Sequence, residues 1–133
     1  MRGIICSFIF ILSLFYFACK DNISNTSNGN VLVGIWQLKQ QSGGFIGQTI
    51  YFSDTPKYLL QISIDNKYIE TRNDTITFSD SFTTYNDSTY KKQVIDFVNS
   101  KRFRMIVEQV TPDSLILWDG LMDGYTSFYI RIK

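Results

Sequence analysis

Val31-Leu32-Val33-Gly34-Ile35-Trp36-Gln37-Leu38 is where this 133-residue chain changes character. Residues 20–30 before it are small and polar, a composition that cannot bury enough surface to order itself and reads as a tether. After it, from Leu32 to Lys133, there is no amphipathic helical period. Short runs with apolar alternation are instead separated by turn clusters such as Asp65-Asn66-Lys67, Asn73-Asp74 and Thr111-Pro112-Asp113. This spacing predicts strands at 33–41, 57–64, 67–72, 75–79, 89–98, 101–110, 114–119 and 125–132, with a longer loop over 80–88. Short turns favour neighbouring antiparallel strands, and eight of these can close into a barrel that leaves no sheet edge. The expected fold is therefore all-β, an eight-stranded antiparallel up-and-down β-barrel. A two-sheet sandwich is the alternative, but its crossovers need longer connections than these turns allow.

Upstream of the tether, one positive charge at Arg2 precedes an apolar run from Ile4 to Ala18, the layout of a secretory signal. At 15 residues the run is short of the roughly 20 a membrane-spanning helix needs. Ala18-Cys19 resembles the end of a bacterial lipobox, in which the cysteine becomes the diacylated (palmitate-type) first residue of the mature chain. The expected organisation is a lipoprotein signal peptide over 1–18, a lipidated Cys19 with its tether over 19–31, and a barrel domain over 32–133. An ordinary signal or an uncleaved anchor is the other reading. Lipidation also accounts for a lone cysteine, since only Cys6 and Cys19 occur and Cys6 lies in the leader. The expected location is the cell envelope, anchored by lipid to a bacterial membrane, the outer one in particular.

Composition narrows the chemistry. The chain has no histidine, which removes the commonest general base and transition-metal ligand, so no Ser-His-Asp or Cys-His site can be built within it. Net charge is +1, and loss of Arg2 with the leader brings it to zero. Without a basic stripe there is no footprint for nucleic acid. Asp96, Glu108 and Glu70 read as solvated strand residues among Lys91, Lys92, Arg102 and Arg104, not as an acid–base pair. Asp119-Gly120-Leu121-Met122-Asp123-Gly124 lacks the terminal Glu of a calcium loop and reads as a turn with two Asp-Gly corners. No metal, cofactor or catalytic residue is expected.

Gly34-Ile35-Trp36 on a first strand resembles the Gly-x-Trp signature of lipocalin-type barrels, and with Gly43-Gly44-Phe45-Ile46-Gly47 the chain resembles short bacterial lipocalin-like lipoprotein domains. The resemblance implies that Trp36 plugs the closed end of the barrel, that Arg131 near the end of the last strand packs across it, and that Gly34 permits close backbone approach. It further implies non-covalent binding of a small hydrophobic or amphipathic molecule. No sequence follows the last strand that could form the outer helix of larger lipocalins, so a small barrel is expected.

Alternation suggests which side chains line the interior. Tyr58, Leu60 and Ile62 share a face, as do Phe103, Met105 and Val107, and Phe128, Ile130 and Ile132. Tyr68 carries a hydroxyl that wants a partner if buried. Phe45, flanked by glycines, reads either as a lid over a ligand or as part of a glycine-kinked strand with a bulge. The expected ligand contacts are Phe45, Tyr58, Leu60, Ile62, Tyr68, Phe103, Met105 and Phe128. The competing function is a filled barrel that engages another envelope protein through residues 80–88 and 119–124, or an enzyme inhibitor.

Overall fold

The computed structural model describes residues 29–133; the leader, Cys19 and most of the polar tether lie outside the described residues. A single helical turn, α1 (Gly29–Leu32), precedes nine strands: β1 (Gly34–Gly43), β2 (Gln48–Tyr51), β3 (Tyr58–Ile62), β4 (Lys67–Arg72), β5 (Thr75–Asp87), β6 (Lys92–Phe97), β7 (Met105–Val110), β8 (Ser114–Trp118) and β9 (Tyr125–Arg131). Every pairing is antiparallel. Eight strands run β1-β3-β4-β5-β6-β7-β8-β9 and close through β1–β9 pairing from Trp36↔Arg131 to Gly43↔Tyr125. The chain is thus a closed eight-stranded antiparallel barrel. The ninth strand, β2, is a short addition folded back on the upper half of β1 after the turn at residues 44–47.

Local sequence explains the hairpins. Asn73 and Asp74 both take positive φ, the mirror-image turn whose twist matches two antiparallel strands, and Asn66 takes the left-handed position of the β3–β4 turn. The β5–β6 turn is held by Asp87, whose Oδ1 accepts the backbone N–H of Thr89 and Tyr90 at 2.8 and 3.1 Å. Three register shifts, at Lys39, Thr77 and Glu108, bend the strands as a small barrel requires.

Two strand expectations are corrected. Residues 80–88 are not a loop: β5 continues unbroken to Asp87, pairing with β4 through Ser81 and with β6 from Phe82 onward. Its Ser, Thr and Asn residues mimic a loop, yet Phe78 and Phe82 point inward and threonine tolerates the pleat well. The last strand has the opposite phase. Ser127 and Tyr129 are buried while Phe128, Ile130 and Ile132 face out, because pairing with β1 places Arg131 opposite Trp36. Moving a strand by one residue exchanges its two faces.

The lower half of the barrel is filled. Trp36, Leu60, Ile62, Tyr68, Phe82, Ile95, Phe97, Leu115 and Leu117 form one cluster, in which Tyr68, Phe78 and Phe97 meet edge to face at 5.0–6.0 Å. Trp36 closes the bottom. Its Nε1 donates to the Leu32 carbonyl at 2.9 Å, and the Arg131 guanidinium lies over its ring, 4.0 Å from the centroid. The same guanidinium donates to the carbonyls of Val33 (2.7 Å), Val31 (2.5 Å) and Pro112. Gly34 lies against it: a Cβ there would fall 2.2 Å from Arg131 Nη1.

A buried carboxylate ties β5 to the connection between β6 and β7. Asp80 accepts from Ser81 N–H (2.7 Å), Asn99 Nδ2 (2.7 Å) and Ser100 N–H (2.7 Å). Burial alone would raise its pKa; the hydrogen bonds from Asn99, Ser100 and Ser81 outweigh it and lower it to about 2.

Candidate functional site

Above the filled half, the barrel opens into a cavity of about 500 Å³. Its walls follow from strand alternation and from the bulges. Leu38 points in from β1, and the shift at Lys39 then turns Gln41 inward where uninterrupted alternation would have turned Gln40. Tyr58 and Leu60 come from β3, Glu70 and Arg72 from β4, Met105 from β7, and Ser127 and Tyr129 from β9. Phe52 packs edge to face on Tyr58 at 5.1 Å and forms part of the rim.

Apolar and polar side chains interleave around this cavity: Leu38 pairs with Tyr129 across β1 and β9, and Leu60 with Glu70 across β3 and β4. Leu38, Leu60, Met105 and Phe52 supply its apolar surface. Arg102 from the β6–β7 connection reaches in to pair with Glu70, Nη2 to Oε1 at 2.9 Å. Tyr68 donates its hydroxyl to the same oxygen at 3.0 Å. The guanidinium lies over Phe78, 4.5 Å from the ring centroid, with Phe97 and Tyr68 at 5.6 and 5.8 Å. Aromatic faces and one carboxylate thus replace the water that a cation loses on entering the barrel. Burial opposes the Arg102 charge, but the Glu70 hydrogen bond and charge prevail and hold its pKa above the ordinary value. Gln41 Nε2 donates to Ser127 Oγ at 3.1 Å, beside the Tyr129 phenol. Burial pushes the Tyr129 pKa up, as it does that of Tyr68, so both hydroxyls stay protonated and act as neutral hydrogen-bonding groups.

Of the residues singled out from sequence, Tyr58, Leu60 and Met105 line this cavity. Ile62 and Tyr68 belong to the packed floor below it. Three others are displaced. Phe45 sits at the tip of the β1–β2 turn, 90% exposed and away from the cavity, so it forms no lid in this structure. Phe103 precedes β7 instead of lying within it and is 62% exposed. Phe128 faces outward from β9. Glu70, expected to be solvated, is instead an inward group paired with Arg102; its position two residues after Tyr68 on one strand was the available signal. Arg102 had none, because it lies in a connection where alternation does not operate. Asp119 behaves as a turn former, accepting the backbone N–H of Leu121 and Tyr125 at 3.2 and 2.9 Å. Gly34, Trp36 and Arg131 meet at the closed end.

Comparison with family models, with curated proteins and with solved structures finds no match to the chain. The closed eight-stranded antiparallel barrel is compatible with a lipocalin-like fold. The reading of the site therefore rests on its own geometry.

Proposed function

We propose that this protein binds a small amphipathic molecule, without chemistry, in the upper half of its barrel. The observation that carries the reading is the cavity itself: about 500 Å³, open at one end, and lined by apolar side chains with a few polar groups among them. Small-molecule sites have volumes of about 300–1,000 Å³ and combine apolar walls with a few orienting polar groups. The apolar part of the ligand would lie along Leu38, Leu60 and Met105. Its polar end would meet Arg102, Glu70, Gln41 and Tyr129. Removing about 300 Å² of apolar ligand surface from water contributes roughly 7 kcal/mol before the cost of association, so the polar contacts must add to it for binding tighter than millimolar. In the same reading the chain is an envelope lipoprotein held to a bacterial membrane through Cys19.

Native mass spectrometry of the full chain isolated from cells tests the proposal, together with uptake of a fluorescent amphiphile. A discrete co-purifying small molecule, displaced by the probe, is expected. Replacing Met105 with Asp should abolish uptake, and replacing the outward Phe128 with Ser should not. A folded barrel that carries nothing and takes up no probe refutes the reading.

A further inference from the structure

The charged groups of the cavity discriminate among ligand head groups. Four charged residues line it, Glu70, Arg72, Arg102 and Asp119, and their formal charges cancel. Asp119 turns both carboxylate oxygens to the N–H groups of Leu121 and Tyr125. Arg72 is exposed, its guanidinium 5.3 Å from the Tyr58 ring centroid. Glu70 and Arg102 are the inner pair, with 25% and 33% of their side chains exposed.

This pair is fixed in place and only partly used. The Arg102 guanidinium lies among Phe78, Phe97 and Tyr68, which hold it over their rings. Its Nη2 meets Glu70 Oε1, and the same oxygen accepts the Tyr68 hydroxyl. Among the described residues no hydrogen bond reaches Glu70 Oε2, and none leaves Arg102 Nε or Nη1. None of these three atoms is sealed from solvent. The pair therefore keeps one acceptor and two donor nitrogens for a molecule that enters.

An ion beside such a pair gains one attraction and meets one repulsion. A carboxylate drawn to Arg102 stands next to Glu70, and an ammonium drawn to Glu70 stands next to Arg102. The two Coulomb energies are similar in size and opposite in sign, so the loss of the ion's water is left uncompensated. A neutral group that both accepts and donates gives up less hydration and can satisfy both partners. Its oxygen accepts from Arg102 while its N–H or O–H donates to Glu70 Oε2. Each such bond has one charged partner and is roughly twice as strong as a neutral one.

Resting on the cavity reading above, we propose that the ligand is an uncharged amphiphile whose head both donates and accepts hydrogen bonds, of the carboxamide or hydroxyl class, recognised by Glu70 and Arg102 together. The pair thus selects against alkyl carboxylates and alkyl ammonium ions that have the same tail. The tail lies along Leu38, Leu60 and Met105.

The test loads the full chain isolated from cells with a neutral fluorescent amphiphile and compares decanamide, decanoate and decylammonium as competitors near neutral pH. The three share a tail length and differ in the head. Decanamide should displace the probe at about tenfold lower concentration than either ion. Glu70→Gln leaves Arg102 unbalanced, so decanoate should overtake decanamide. Arg102→Met leaves Glu70 unbalanced, so decylammonium should overtake it instead. Circular dichroism checks that each variant is folded, and the ranking on the unsubstituted chain decides if one is not. Either ion ranking first on the unsubstituted chain overturns the proposal, as does equal displacement by all three, with binding in the cavity left standing. A ranking that neither folded variant changes overturns it too, because the pair would then not be reading the head. If neither the probe nor any competitor binds, the cavity reading itself fails and this inference falls with it.

Discussion

The closed end of the barrel offers the sharpest test of how this sequence holds its fold. Arg131 bonds three carbonyls, those of Val31, Val33 and Pro112, and covers the face of Trp36. Replacing it with Met keeps the aliphatic stem and removes the guanidinium. The lost cation–π contact is worth roughly 1 kcal/mol at a half-buried site. Each carbonyl can turn partly to water, so about 0.7 kcal/mol apiece is a suitable value for the three hydrogen bonds, in the lower part of the range of about 0.5–1.5 for ordinary bonds and below that for fully sequestered charged ones. The expected loss is about 3 kcal/mol, which for a domain of this size lowers Tm by roughly 12–20 °C. Gly34 supplies the control. A Cβ there falls 2.2 Å from Arg131 Nη1 and 3.0 Å from the Lys133 carbonyl, so Gly34→Ala forces the guanidinium off the indole and should cost about 2 kcal/mol. In the Arg131→Met background that collision is relieved, and the added cost should fall to about 1 kcal/mol. Urea unfolding followed by tryptophan fluorescence and circular dichroism measures all four corners of the cycle. Strict additivity, or a loss under about 1 kcal/mol for Arg131→Met, would refute the assignment of this end as a guanidinium-clamped cap.

Three further outcomes follow from other contacts. Asp80 has a folded-state pKa lowered from 3.8 to about 2, so its contribution is complete above pH 4 and is lost as pH falls through about 2; Asp80→Asn should flatten the pH dependence of the urea midpoint in that window. Glu70→Gln should destabilise by about 1–2 kcal/mol by leaving Arg102 half-buried without its carboxylate, whereas Glu70→Leu with Arg102→Met should cost less than the two single changes together. If Cys19 carries the anchor, Cys19→Ala should move the protein from the membrane to the soluble fraction, and intact mass should show the loss of the acyl chains.

Turn chemistry and alternation were legible without any structure. Asn73-Asp74 and Thr111-Pro112-Asp113 mark hairpins because their residues set local backbone angles, and eight alternating runs with short connections leave an antiparallel closed sheet as the favoured architecture. The triple of Gly34, Trp36 and Arg131 could be picked from the chain by resemblance, and the three meet at one end of the barrel.

Facing was legible for Tyr58, Leu60 and Met105 but not everywhere, and each miss has a physical cause. On β9 alternation points inward with the more apolar face, Phe128-Ile130-Ile132, yet Ser127, Tyr129 and Arg131 turn in. The choice is made by pairing with β1, more than 80 residues earlier in sequence. The β1 bulge moves Gln41 inward, since one extra residue reverses every later side chain. Arg102 enters the barrel because Glu70, Phe78 and Phe97, from three different strands, converge where its connection passes. The residues themselves thus determined strand and turn, whose causes lie within a few positions of each other. The closed sheet decided the rest of the cavity lining, Gln41, Glu70, Arg102, Ser127 and Tyr129, because that depends on register between segments distant in the chain.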